Sequence, residues 1–121
     1  MIIAMPPTPD YSLHQHEGVA VLSIELESLL SIIDVNRLSA EITNLVESGM
    51  KRMVLDLQKV KFAGSAALGM LLALSSDLRA RGGKLVLANT HHIDPLLKVT
   101  RSRGVFTIAT DTLRAMEQAK P

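Results

Sequence analysis

At 121 residues the chain is one domain's worth, long enough to bury a core without disulfide or metal staples. Hydrophobic residues at 47% and charged residues at 21% exclude general disorder, and 13 basic against 12 acidic side chains leave a net charge of +1, too little to hold a nucleic-acid backbone or an anionic membrane. Tyr11, Phe62 and Phe106 are the only aromatic residues, too few for base or sugar stacking, and the absence of cysteine removes disulfides and thiolate chemistry and fits a cytoplasmic setting.

Residues 1–10, with Pro6, Pro7 and Pro9, read as an extended, flexible tail that lacks the basic stretch and apolar run of a signal peptide; residues 11–121 read as the domain. No apolar run approaches the roughly 20 residues that span a bilayer. Tyr11 to His16 alternates weakly, Glu17-Gly18 is a turn, and Val19 to Ile24 is a β-branched run, which together predict a hairpin. Glu25 to Ile33 mixes acidic and aliphatic residues without a period and is open between strand, loop and helical turn. From Asp34, Leu38, Ile42, Leu45 and Val46 share one helical face, and Gly49 stands at the left-handed stop.

Arg52 to Val60 reads as a strand around Met53 to Leu57, followed by a loop from Lys61 to Gly64. Ser65 is placed as the N-cap of a helix over Ala66 to Arg81, with Leu68, Leu71, Leu72, Ser75 and Leu78 inward and Gly82-Gly83 ending it. Lys84 to Ala88 is a covered strand. Asp94 caps a third helix with Pro95 at its first position, running to Gly104; Phe106 and Ile108 mark a last strand. Asp111 caps a closing helix with Leu113 and Met116 inward. The order β-β-α-β-α-β-α-β-α predicts an α/β domain with a mixed, mostly parallel sheet of about five strands and four helices, opened by one antiparallel hairpin.

Phe62 to Gly69 fits neither the dinucleotide fingerprint nor the P-loop, and no lysine stands where phosphate would need it; backbone N–H groups at a helix start leave only weak anion binding. His14 with His16, and His91 with His92, lack a third ligand at diagnostic spacing, so no metal is expected. No Gly-x-Ser-x-Gly elbow exists, no catalytic residue is assigned and no cofactor is called for. Lys98, Arg101 and Arg103 are read as cations complementing the end of the third helix.

Val54-Leu55-Asp56-Leu57-Gln58-Lys59-Val60-Lys61-Phe62, followed by Ser65-Ala66-Ala67-Leu68-Gly69 and Leu71-Leu72, resembles the signature of STAS domains, the family of sulphate transporters and anti-sigma factor antagonists. Asp34 resembles the acidic residue ahead of the family's first helix, and the match extends over nearly the whole chain from Tyr11. In the bacterial antagonists the loop reads roughly Phe-x-Asp-Ser-Ser-Gly-Leu-Gly, and the second serine is phosphorylated by a kinase that doubles as the anti-sigma factor. Here Phe62, Leu68 and Gly69 match, Gly64 replaces the aspartate, Ala66 the phosphoacceptor serine and Ala67 the glycine. Ser65 is the only hydroxyl left in the loop; it is read first as a cap and second as a phosphorylation candidate.

The resemblance implies a regulatory module that binds an anti-sigma factor or serine kinase through Asp34, Phe62, Gly64, Ser65, Ala66, Ala67 and Gly69, and that is not an enzyme. Small side chains at Gly64, Ala66 and Ala67 would also let another backbone approach closely. Alternatives are a phosphorylation-independent scaffold, a subunit associated with a transporter, and a small-ligand or nucleotide sensor.

Overall fold

The hairpin forms because its two-residue connection has the right chirality. Glu17 and Gly18 both take positive φ, 51° and 80°, which matches the twist of the flanking strands β1 (Tyr11–His16) and β2 (Val19–Ile24). The computed structural model describes residues 10–121; the tail read around Pro6, Pro7 and Pro9 lies outside the described residues. Asp10 is buried, and its carbonyl accepts a hydrogen bond from the Glu25 N–H at 2.8 Å.

The ambiguous stretch after β2 resolves into a short strand, β3 (Ser28–Leu29), and a helix start. α1 (Ile32–Glu47) begins two residues before Asp34, with Ser31 as N-cap, so Asp34 lies within the first turn rather than ahead of it. Its end is a Schellman turn: Gly49, at φ 113°, donates to the Val46 carbonyl and Met50 to that of Leu45. β4 (Arg52–Asp56) stops four residues earlier than its apolar pattern suggested, because the chain turns back and the Val60 N–H donates to the Leu57 carbonyl. Phe62–Ala63, expected as loop, is a strand, β5, pairing parallel with β3.

α2 (Ser65–Ala80) also closes on a Schellman turn, with Gly82 donating to Arg79 and Gly83 to Leu78. Gly83 is required to be glycine by close approach. A β-carbon there would sit 1.8 Å from the Lys51 carbonyl oxygen, which instead accepts the Lys84 N–H as β6 (Lys84–Ala88) starts beside β4. α3 (Asp94–Val99) is shorter than expected and its N-cap is Ile93, not Asp94. It stops because Arg101 takes φ 54° and supplies the left-handed residue usually given by glycine, with Ser102 donating to Leu97. Arg103 therefore leaves the helix for a separate 3-10 turn, Arg103–Val105. β7 (Thr107–Ala109) and α4 (Thr112–Ala119) complete the chain, and Asp111 caps α4 as expected, accepting the Arg114 N–H at 2.8 Å.

Five strands form one sheet in the order β1-β2-β4-β6-β7, antiparallel only at β1·β2, beside the two-stranded β3-β5 pair. The mixed, mostly parallel α/β sheet with four helices is thus the one anticipated. Alternation along the strands divides the core. Leu22, Ile24, Met53, Leu55, Leu85 and Leu87 meet α1, α2 and α3 on one face, while Val19, Val21, Val54, Val86 and Ala109 meet Ala115 and Ala119 of α4 on the other. Two inward assignments fail on this geometry. Leu113 is exposed, Met116 is only partly buried against the α4 layer, and on α2 Leu72 is exposed while Leu74 is buried. The buried stripe of α2 is turned toward α1 as well as the sheet, which brings Met70 and Leu74 inside.

Candidate functional site

The site grows from one pairing. β5 lies parallel to β3 with Ser28 opposite Phe62 and Leu29 opposite Ala63, so the segment before α1 and the segment before α2 run side by side. The two helix starts therefore meet at the carboxyl end of β4. Backbone bonds from the Lys61 and Phe62 N–H groups to the Glu27 carbonyl, at 2.8 and 3.2 Å, fix this register. A β-carbon added at Gly64 would be 3.4 Å from Leu30 Cδ2, an ordinary contact, so Leu30 flanks the start of α2.

The side chains displayed here are mostly apolar. Leu30, Ile32, Ile33 and Phe62 are between 54% and 72% exposed, four large hydrophobic residues at one end of the molecule. Exposed apolar side chains gathered in this way mark a contact surface, whereas isolated ones need no explanation. Phe62 was expected in the site from the sequence; Leu30, Ile32 and Ile33 were not. In sequence their stretch is open between strand, loop and helical turn, and the β3–β5 register shows that these side chains are left exposed among the described residues.

The expected loop residues fall into two groups. Gly64, Ser65, Ala66 and Gly69 lie at or near the surface, with Gly69 facing open space, while Ala67 is buried against the core and helps seat α2 on the sheet. Asp34 sits across from them in α1, its carboxylate accepting a 2.9 Å hydrogen bond from Arg37. Ser65 is corrected: it is the first helical residue, the N-cap is Gly64, and no side-chain hydrogen bond caps α2. The pairing of β5 with β3 carries extended backbone through Ala63, so the cap position falls on Gly64, one residue earlier than the pattern suggested. The Ser65 side chain is exposed and makes none of the hydrogen bonds of the described residues.

A sensor-like cleft finds less support in the topology. β2, β4, β6 and β7 lie in sequence order, so the parallel part of the sheet has no strand-order reversal, the feature that opens a nucleotide-binding crevice in doubly wound sheets. Side chains link the carboxyl ends of β2, β4 and β6, with Asp56 accepting from Ser23 Oγ, the Gln58 N–H and Asn89 Nδ2. His14 and His16 are exposed on β1, and the His91 and His92 rings lie 4.1 Å apart, tilted by 42°; among the described residues no three His, Cys, Asp or Glu side chains converge as metal ligands. No helix among the described residues is long and apolar enough to cross a membrane.

Comparison with known proteins agrees with this architecture. The STAS domain model matches residues 10–95, a span that contains β1 through the start of α3 and the whole candidate site. BtrV of Bordetella bronchiseptica, named as an anti-sigma factor antagonist, is 28% identical over 85 residues, covering 69% of this chain and 73% of that protein. Among solved structures, an anti-sigma factor antagonist homologue from Thermotoga maritima superposes with a TM-score of 0.81 at 18% identity, over 90% of this chain and 93% of that one. The Bacillus cell-fate determinant SpoIIAA, determined in its phosphorylated form, gives a TM-score of 0.68 at 17% identity, over 91% of this chain and 99% of that one. The chain belongs to the STAS domain family and is a domain of the anti-sigma factor antagonist-like kind.

Proposed function

We propose that this STAS domain acts by binding a protein of the anti-sigma factor or serine-kinase type through Leu30, Ile32, Ile33, Phe62 and the first turn of α2, and that binding does not depend on a phosphate at position 66. The observation that carries this reading is the gathering of four large exposed apolar side chains around an uncapped helix start. Such residues contribute to affinity by leaving water on association, and an exposed cluster of them is otherwise a liability. Ala66 has no hydroxyl, so a switch of the SpoIIAA kind would have to be built elsewhere. Ser65 is the hydroxyl available for it: exposed, unengaged in capping, and at a helix N-terminus where added negative charge is tolerated.

The test uses the anti-sigma factor encoded in the same genome as the binding probe, measured by calorimetry. Ile33→Glu combined with Phe62→Ala is expected to weaken binding at least tenfold, about 1.4 kcal/mol, with the fold intact because both side chains face solvent. Ala66→Glu is expected to weaken binding as well while leaving stability near wild type. Undiminished binding by both folded variants would place the interface elsewhere. Incubation with a serine kinase of that type and ATP, followed by peptide mapping, is expected to place any phosphate on Ser65; a phosphate at another residue overturns the Ser65 assignment.

A further inference from the structure

We infer that Asp34, Arg37, Asp10 and Glu41 form a clasp between the entry to β1 and helix α1, in which Glu41 is the member whose proton sets the charge of the cluster. Asp34, Arg37 and Glu41 lie at the i, i+3 and i+7 positions of α1 and so share one stripe of it. Asp10 reaches that stripe from just before β1 and is only 1% exposed. Arg37 grips it with two bonds, Nε to Oδ2 at 2.7 Å and Nη2 to Oδ1 at 3.0 Å, while the same Nη2 donates to Asp34 Oδ1 at 2.9 Å.

One group among the described residues is out of balance. Glu41 Oε2 is buried and has no hydrogen-bond partner. As a carboxylate it would be an unsatisfied buried acceptor lying near a second carboxylate that Arg37 keeps ionised, which is costly on both counts. As a carboxylic acid it becomes a donor, and Asp10 is the acceptor at hand. The single guanidinium then balances Asp10 and Asp34 with one negative charge in excess instead of two. Among the described residues the groups that face Glu41 are Asp10 and Tyr11 from the β1 side and Arg37 from its own helix; Glu25, which follows β2, is turned to Lys59 and Ser12.

Titration follows the same geometry. Burial first, and then the charge and hydrogen bond of Asp10, push the Glu41 carboxyl above its ordinary value of 4.5. Arg37 holds Asp10 below its ordinary 3.8. Between 4.5 and its folded value the folded chain keeps a proton at Glu41 that the unfolded chain has released, so stability falls as pH rises through that window and the contribution is complete below 4.5. Asp10 works in the opposite sense: its contribution is present above 3.8 and is lost as pH falls through the folded value. The clasp stands whatever partner the domain binds.

A carbon-detected NMR titration of the side-chain carboxyls in the full chain, paired with urea denaturation across the same pH range, tests it. The Glu41 carboxyl is expected to titrate above 4.5, and to move down toward that value in Asp10→Asn. Glu41→Gln, which keeps a donor but has no proton to lose, is expected to flatten the fall of stability with rising pH. A wild-type Glu41 that titrates at or below its ordinary value overturns the clasp without recourse to any variant. So does a folded Glu41→Gln chain with an unchanged slope.

Discussion

The two helices that frame the proposed docking surface begin in opposite ways. α1 opens on Ser31, whose hydroxyl accepts the Asp34 N–H at 3.4 Å, and carries an acidic residue in its first turn. α2 opens on Gly64, with no side chain to cap it and no acid in the first turn. Both lie beside the β3–β5 pair, yet one start is closed by its own sequence and the other is left to its surroundings. The difference teaches where a partner can add something. The α1 start offers apolar side chains above satisfied backbone, whereas the α2 start offers unsatisfied N–H groups beneath a low surface of small residues.

Substitutions at the two starts should separate packing, capping and binding. The largest effect is expected at Ala67→Leu, which forces three extra carbons into the buried seat of α2; overpacking of this kind costs about 1–3 kcal/mol, measurable by urea denaturation. Ser31→Ala removes the only side-chain cap of the pair and should cost about 1 kcal/mol. Gly64→Asp should go the other way. Its backbone, at φ −127° and ψ −164°, suits any residue, its β-carbon would have room, and a carboxylate there would cap α2 for a gain of about 0.5 kcal/mol. The smallest effect is expected at Ser65→Ala, within about 0.5 kcal/mol, because no capping bond is lost. A Ser65→Ala loss as large as that of Ser31→Ala would erase the contrast between the two starts.

Much of this was legible in the chain because it is local chemistry. Leu38, Ile42 and Val46 fix the inner face of α1, Gly49 and Gly82 its stop and that of α2, Asp111 the cap of α4, and the Val, Leu and Met runs of β4 and β6 their burial on both faces. The resemblance to STAS domains put the expected binding surface at Phe62 to Gly69, which stands as a proposal. Each of these signals sits within a few residues of what it determines.

What only the tertiary structure decided are features whose cause is distant in sequence. Ser28 and Leu29 become a strand because Phe62 and Ala63 are there to pair with them, and that pairing moves the cap from Ser65 to Gly64. The same register leaves Leu30, Ile32 and Ile33 exposed, in a stretch whose sequence by itself is open between strand, loop and helical turn. Arg101 ends α3 in a conformation that its side chain alone would not favour, held by the buried Ser102. The strain is offset by contacts of the whole fold, and no window of sequence contains them. Asp10, read with the tail, meets Arg37 and Glu41 across more than 25 residues, and a clasp made by residues so far apart exists only once β1 and α1 have packed together.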